Sequence, residues 1–473
     1  MATVASTARV IPFPSPGTAR SISLAEILSA LSFALDLTEG AVPGHALRTC
    51  VLGMRLAEEL RLPAEERASL YDSLLLKDIG CSSNAARLCQ IIGGGDERKV
   101  KAGVKLEDWT RPSRPKASTL SLLWTSILPE AGTFRRAAGI VRIGLTQHRN
   151  NEEMITLRCD RGAQILRKLG LGAAAAEAVR GLDEHWDGSG YPERRRGKAI
   201  PLGSRILAVA QHLDVFATER GINKALQVLH ERAGRWFDPD IVRVATRLHR
   251  CGTLWTYALA STAEYETRAA VLDLAPERVH QLTAADVDLI CEAFADVVDA
   301  KSSFTFRHSV GVTAAARQIA RRLGLSPERQ QMVNRAALLH DLGKLRVPNS
   351  ILDKPGKLTA SEWLVVQEHP HLTQQILSRI ASFRELAQIA GAHHEKLDGS
   401  GYPNHLASRQ LPLEARIITV ADVYGALTED RPYRSGLTHE DALALLIRDA
   451  PQKLDPDCCE ALIPGVSSDR TQN

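Results

Sequence analysis

Between His340 and Asp422 the chain gathers residues able to hold metal ions. His340-Asp341-Leu342-Gly343-Lys344 opens the stretch and Glu368-His369-Pro370 follows. His393-His394 begins the string HHEKLDGSGYP, and Asp422 stands in TVADVYGAL. Imidazole nitrogens and carboxylate oxygens are ligands of iron, manganese and zinc. With His308 upstream the candidate ligands are His308, His340, Asp341, His369, His393, His394 and Asp422. Such a set exceeds one tetrahedral ion and suits two octahedral ions sharing a carboxylate, with waters completing each shell. Lys344, three residues past Asp341, is placed to meet an anion held by the pair. Two cations so arranged activate water and neutralise the non-bridging oxygens of a phosphodiester, so metal-assisted hydrolysis is the expected chemistry. A lone buried histidine is more often a hydrogen-bonded core residue, and His371, His405 and His439 are read that way.

The elements that must position these residues are helices. Apolar residues recur three and four apart nearly throughout, with few alternating β-branched runs. A first helix is expected over Leu24–Leu37. His45 heads another, with Leu52 and Leu56 on its face, and His308 heads a similar one carrying Val312, Ala315 and Ile319. His340 and Asp341 are adjacent, about 100° apart on a helix, so both reach one site only near its mouth. Gly343 then reads as a helix end.

The similarity of the two histidine-headed helices extends into an internal repeat. His45 to Asp78 is 33 residues, as is His308 to Asp341; Arg158 to Asp187 is 29, as is His369 to Asp398. Both copies contain DGSGYP, then Pro-Leu and Arg-Ile at matching distances. The first copy carries about 52 extra residues between Asp78 and Arg158. This insertion, around 82–150, holds Gly93-Gly94-Gly95-Asp96-Glu97, read as a loop, and basic residues up to Lys105, read as a solvated face.

The bulk numbers set the class. At 473 residues with a net charge of +4, the chain has room for two cores and no charge excess arguing for a nucleic-acid partner. Eight scattered cysteines without a CxxC pair argue against a disulfide or thiolate-zinc framework and for a reducing cytoplasm. No apolar run approaches the ~20 residues of a membrane span. The expected organisation is a disordered tail over 1–20, a first domain over 21–250, a connector over 251–283, a second domain over 284–464, and a tail over 465–473.

From about Asp286 to Leu462 the chain resembles an HD-GYP domain, the branch of the HD phosphohydrolases that degrades cyclic di-GMP. HDLGK, Glu-His-Pro, HHEKLDGSGYP, the Ala-Asp-Val of Asp422 and Arg431-Pro432-Tyr433-Arg434 carry the resemblance, in order. It implies an all-α protein of two tandem HD-type helical bundle domains. It places His308, His340, Asp341 and Asp422 around one metal, with Asp341 bridging to a second held by His369, His393 and His394. Iron or manganese would fill both sites. Asp341 and Lys344 fall at catalytic positions, and Lys344, Tyr402, Arg431 and Arg434 where the family meets phosphates or guanines. Members with a third metal use a Glu four residues before the first histidine; that position is Phe304 here, so two metals are expected. The implied reaction opens cyclic di-GMP to linear pGpG and onward to GMP. A homodimer and diguanylate cyclase (GGDEF) proteins are the implied partners. One departure is Gly425, where the family usually carries a second Asp three residues after the ligand Asp.

The first copy retains His45 and Asp78 but has Lys77, Arg158, Leu182, Asp183 and Gln211 at the other ligand positions, and Cys81 at the lysine position. It reads as a degenerate HD-GYP domain serving as a packing or dimerisation partner. Two alternatives are a displaced site rebuilt by His185 and His212, and a pocket in which Lys77 and Arg158 bind an anionic nucleotide. For the whole chain the rival readings are a non-catalytic dinucleotide receptor or scaffold, and a hydrolase of another cyclic nucleotide.

Overall fold

The structure, a computed structural model, describes residues 23–108, 117–277, 282–302, 308–430 and 435–463, without side chains at 117–120 and 147–148. Among these the secondary structure is helical, with only two isolated β-bridges. The first repeat runs α1 (Leu24–Glu39), α2 (His45–Glu59), α3 (Ala64–Leu76), α4 (Ala85–Ile92), α5 (Glu97–Lys105), α6 (Ala117–Ser126), α7 (Thr133–Lys168), α8 (Ala173–Arg180), α9 (Leu202–Arg220), α10 (Ile222–Glu231) and α11 (Pro239–Arg250). The second repeat runs α13 (Ala284–Asp299), α14 (His308–Arg322), α15 (Pro327–Leu339), α16 (Asn349–Leu352), α17 (Ala360–Gln367), α18 (His369–Leu377), α19 (Arg384–Gly391), α20 (Leu413–Thr428), α21 (His439–Asp449) and α22 (Pro456–Glu460). Between them α12 (Glu264–Asp273) packs on α1 and α2, its Val271 buried, so the connecting segment is part of the core.

Four helix pairs of the two repeats match in length. α1 and α13 are 16 residues each, α2 and α14 are 15, α3 and α15 are 13, and α8 and α19 are 8. In both, an aspartate ending the first helix caps the histidine-headed helix. Ala46 N–H donates to Asp36 at 3.0 Å, and Ser309 N–H and Oγ donate to Asp299 at 3.2 and 2.7 Å. The aspartate replaces a terminal carbonyl partner and fixes where each helix, and its first histidine, begins. Burial raises both carboxyls, Asp36 to about 7 and Asp299 to about 6.

α1 is apolar around nearly its whole circumference because it lies between the repeats. Ile27, Leu28, Leu31, Ala34 and Leu35 are buried, and α1 packs on α2 and α3 as well as on the 342–346 turn and α18. The insertion seals the same junction. Gly93–Gly95 form a turn, Asp96 caps α5, and Glu97 sits fully buried, accepting from Asn349 N–H at 3.1 Å beside Lys301 Nζ at 3.5 Å. The Gly-Gly-Asp-Glu string thus ends in a helix start that docks on the second repeat. The expected solvated basic face is corrected too, because Lys101 and Lys105 point inward onto Glu39 at 3.1 and 2.8 Å. Glu39 ends α1, far from both in sequence but adjacent in the fold. A buried carboxylate draws in whichever cations reach it.

Candidate metal centre

α15 ends at Leu339, and His340 and Asp341 lie where the chain leaves it for the 3-10 turn Leu342–Arg346. Gly343 follows the end of α15, as the sequence suggested, but without the positive φ of a left-handed cap. It is required by a close approach, since a Cβ there would lie 2.1 Å from the His369 carbonyl oxygen on α18. Gly80 meets Arg158 in the same way, at 1.9 Å. Thr373 of α18 ties the turn down, donating to His340 O at 2.8 Å and accepting from Gly343 N–H at 2.9 Å.

These contacts bring the seven candidates together. His308, His340 and Asp422 form one group of ligand atoms, and His369, His393 and His394 another, each within 4.8 Å. Asp341 lies between them. Its Oδ1 is 3.2 Å from His369 Nε2 and 3.7 Å from His393 Nε2, while its Oδ2 is 3.3 Å from His340 Nε2 and 3.7 Å from His308 Nε2. Asp422 reaches His308 Nε2 at 3.3 Å and His394 Nδ1 at 3.8 Å. All but the partly open His394 are buried.

The hydrogen bonding suits a divalent cation. His340, His369 and His393 each have Nδ1 at 2.6–2.7 Å from a backbone carbonyl, of Ala337, Val366 and Ala390 respectively. With the ring proton on Nδ1 alone, the form a bound cation selects, each Nε2 lone pair is aimed inward. His369 Nε2 and His393 Nε2 then face each other at 3.1 Å, an arrangement that is repulsive without a cation to share. His308 Nε2, His340 Nε2 and Asp341 Oδ1 are buried without a hydrogen-bond partner. Burial lowers His369 and His393 and brings His394 to about 3, keeping that trio neutral. Burial opposes ionisation of Asp341, but His340 and Lys344 hold it well below the usual carboxylate range. Asp422 is held down similarly, through His308 and His394. Three neutral imidazoles and two ionised carboxylates are a ligand set for divalent metal.

Lys344 Nζ lies 2.6 Å from Asp341 Oδ2 at the mouth of the site. The Tyr402 ring stacks on His394 with centroids 4.8 Å apart, and Trp363 of α17, partly exposed, meets Tyr402 edge-on at 6.1 Å. Arg431, Arg434 and Phe304 lie outside the described residues. His371 and His439 sit away from the site, on Gln375 and Tyr424. Trp363, Thr373, Asp299 and Glu429 were missed by sequence reasoning. Only Asp299 left a signal, standing nine residues before His308 as Asp36 stands before His45.

The corresponding volume of the first repeat is filled by its own cations. Lys77 pairs with Asp78, Lys105 Nζ lies 3.9 Å from Asp78 Oδ1, and Arg158 pairs with Asp183. Glu39, Asp78 and Cys81 form a ligand-like group, but burial pushes the Cys81 thiol up to about 12, leaving no thiolate. His185 stacks on Trp236 at 4.2 Å and His212 packs edge-on against Phe237 at 4.9 Å. Among the described residues neither histidine joins a metal-ligating group, so no displaced site is rebuilt there.

The HD domain family model matches residues 142–241 and 292–458. The 3'3'-cGAMP-specific phosphodiesterase 3 of Vibrio cholerae is 40% identical over 444 residues, covering 93% of this chain and 94% of the relative. The crystal structure of a cyclic GMP-AMP-specific phosphodiesterase of V. cholerae matches with a TM-score of 0.63 at 38% identity, over 94% of this chain and 97% of that one. The cyclic di-GMP phosphodiesterase response regulator RpfG of Xanthomonas campestris is 46% identical over 149 residues, 31% of this chain and 39% of the relative. The chain therefore belongs to the HD domain family, as a tandem protein of the HD-GYP type.

Proposed function

We propose that the chain is a metal-dependent phosphodiesterase of cyclic dinucleotides, with its chemistry in the second repeat, and that 3'3'-cGAMP is its substrate. The observation carrying the chemistry is the convergence of buried, inward-aimed ligand atoms around Asp341, which the first repeat lacks. His308, His340, Asp341 and Asp422 would hold one divalent ion, and Asp341, His369, His393 and His394 the other, with iron or manganese suited to both. When bound, the pair supplies charge neutralisation at the phosphodiester and a more acidic water. The backbone carbonyls behind His340, His369 and His393 keep those rings in one tautomer. Lys344 turns from Asp341 toward an incoming phosphate, and Tyr402 with Trp363 offers an aromatic wall for a purine. The product is the linear dinucleotide.

The substrate reading rests on the relative that spans both repeats, insertion included; its name specifies 3'3'-cGAMP. Cyclic di-GMP, expected from the second repeat alone, is the second reading, favoured by the 46% identity to RpfG over 149 residues. The test is hydrolysis by anaerobically purified, metal-counted protein offered both dinucleotides in competition. Preferential opening of 3'3'-cGAMP supports the proposal, and preference for cyclic di-GMP replaces it with the second reading. Metal without turnover of either would favour a receptor, and no metal under any loading would end the enzyme reading.

A further inference from the structure

The repeats solve one problem in two ways, and the difference names a residue. In the first repeat the histidine heading α2 is oriented by the aspartate three residues after Gln211. His45 Nδ1 donates to Asp214 Oδ2 at 2.5 Å, and Arg48 Nε donates to Asp214 Oδ1 at 2.5 Å. Thr218, one turn further along α9, lies 3.5 Å from the same carboxylate. In the second repeat the matching three positions are Gly311, Gly425 and Glu429. Both side chains that build the first arrangement are gone, yet His308 Nδ1 still donates to a carboxylate, Glu429 Oε2, at 2.8 Å. The carboxylate lies against both glycines: a Cβ on Gly311 would be 3.4 Å from Glu429 Oε1, and one on Gly425 would be 3.8 Å from it and 3.1 Å from Val312 Cγ2.

We infer that Glu429 is the positioning residue of the first metal ligand, replacing from one turn further along the aspartate missing at position 425. By holding the proton on Nδ1 it keeps His308 Nε2 turned toward Asp422 and Asp341, at 3.3 and 3.7 Å. A carboxylate behind a ligating imidazole fixes ring and tautomer and makes the nitrogen a better donor, an effect worth about 10- to 100-fold in metal affinity.

The inference rests on the di-metal reading of the second repeat, and the experiment separates the two. Manganese binding to the metal-stripped full chain is measured by calorimetry for wild type, Glu429→Ala, and Glu429→Ala with Gly425→Asp, alongside the melting temperature of each apo-protein. The expected result is at least tenfold weaker binding at one site in Glu429→Ala, unchanged apo melting, and recovery toward wild-type affinity when Asp is supplied at 425. The Glu429 side chain is 27% exposed, so its truncation should spare the fold. Wild-type affinity in Glu429→Ala overturns the inference while leaving the di-metal reading intact. So does a weakened site that Gly425→Asp leaves weak, or whose loss tracks a fall in apo melting. A wild-type chain that binds no manganese ends both.

Discussion

Replacing Gly343 with alanine puts a methyl group where the backbone of α18 already stands. The new Cβ would lie 2.1 Å from the His369 carbonyl oxygen, against a floor of 3.0 Å for such contacts, so α18 or the 342–346 turn must retreat by about 1 Å. The retreat acts on the metal centre directly. His369 Nε2 is 3.2 Å from Asp341 Oδ1, and Thr373 of the same helix is bonded to His340 O. Misplacement of about 1 Å costs roughly 100-fold in rate where geometry sets the reaction. Gly80→Ala is the matched control, since its Cβ would lie 1.9 Å from the Arg158 carbonyl oxygen in the repeat without the ligand set. Both variants should lose about 1–3 kcal/mol of stability from overpacking. Cyclic-dinucleotide hydrolysis and metal content are measured per folded chain, with the folded fraction read by circular dichroism. Gly343→Ala should fall about 100-fold in turnover and hold its second metal weakly, while Gly80→Ala keeps the turnover of wild type. Equal loss in both, or none in Gly343→Ala, would refute the claim that the α18 contact sets the centre in one repeat only.

Two further perturbations probe the frame. Glu97→Ala leaves the buried Lys301 without its carboxylate and Asn349 N–H without an acceptor, and should cost about 3–5 kcal/mol in urea unfolding. Glu97→Gln restores the acceptor and should cost less, and an unchanged midpoint in the alanine variant would show that this junction carries no load. His185 tests acid sensitivity. Burial holds it at about 3, below its unfolded value near 6.5, so below pH 6.5 the unfolded chain takes up a proton that the folded chain refuses. Stability attached to this group is complete above pH 6.5 and falls as the pH drops, by about 2 kcal/mol at pH 5. His185→Leu should lose correspondingly less than wild type between pH 7 and pH 5, and equal losses would contradict the assignment.

How much of this could be read in the sequence follows from what a one-dimensional string preserves. Spacing survives intact, so the repeat, its eroded ligand positions and the seven candidates of the second copy were all legible as arithmetic. The helical character was legible for the same reason. Partnership across the fold was not. Lys101 and Lys105 look like ordinary surface charges until α1 delivers Glu39 beside them, 62 residues from Lys101. Glu97 looks like part of a glycine loop until Asn349, 252 residues away, is bonded to it. Gly425 announced that an acid was missing, but nothing in the string said that Glu429 could reach His308, because that depends on how α14 packs on α20. Gly343 was read through its local role as a helix end, whereas its cause is a neighbouring helix.

The first repeat also shows why losing a metal centre need not cost the fold. Asp341 is buried and ionised, and a bound cation beside Lys344 would balance it. Asp78 at the matching place is equally buried, and Lys77 and Lys105, with Lys101 on neighbouring Glu39, supply fixed positive charge. Asp78 and Glu39 are both held below the usual carboxylate range against the opposing effect of burial, chiefly by these lysines. Restoring two of the four lost histidines is therefore insufficient. In Lys77→His combined with Arg158→His, Lys105 still lies 2.8 Å from Glu39 and 3.9 Å from Asp78, and a divalent ion would enter against its charge. That double variant should bind no more manganese per chain than wild type. Adding Lys105→Met frees both carboxylates from their shared cation, and an additional equivalent should then bind. Uptake of the extra ion by the double variant alone would mean that the exchanges at 77 and 158, and not Lys105, decide whether metal enters.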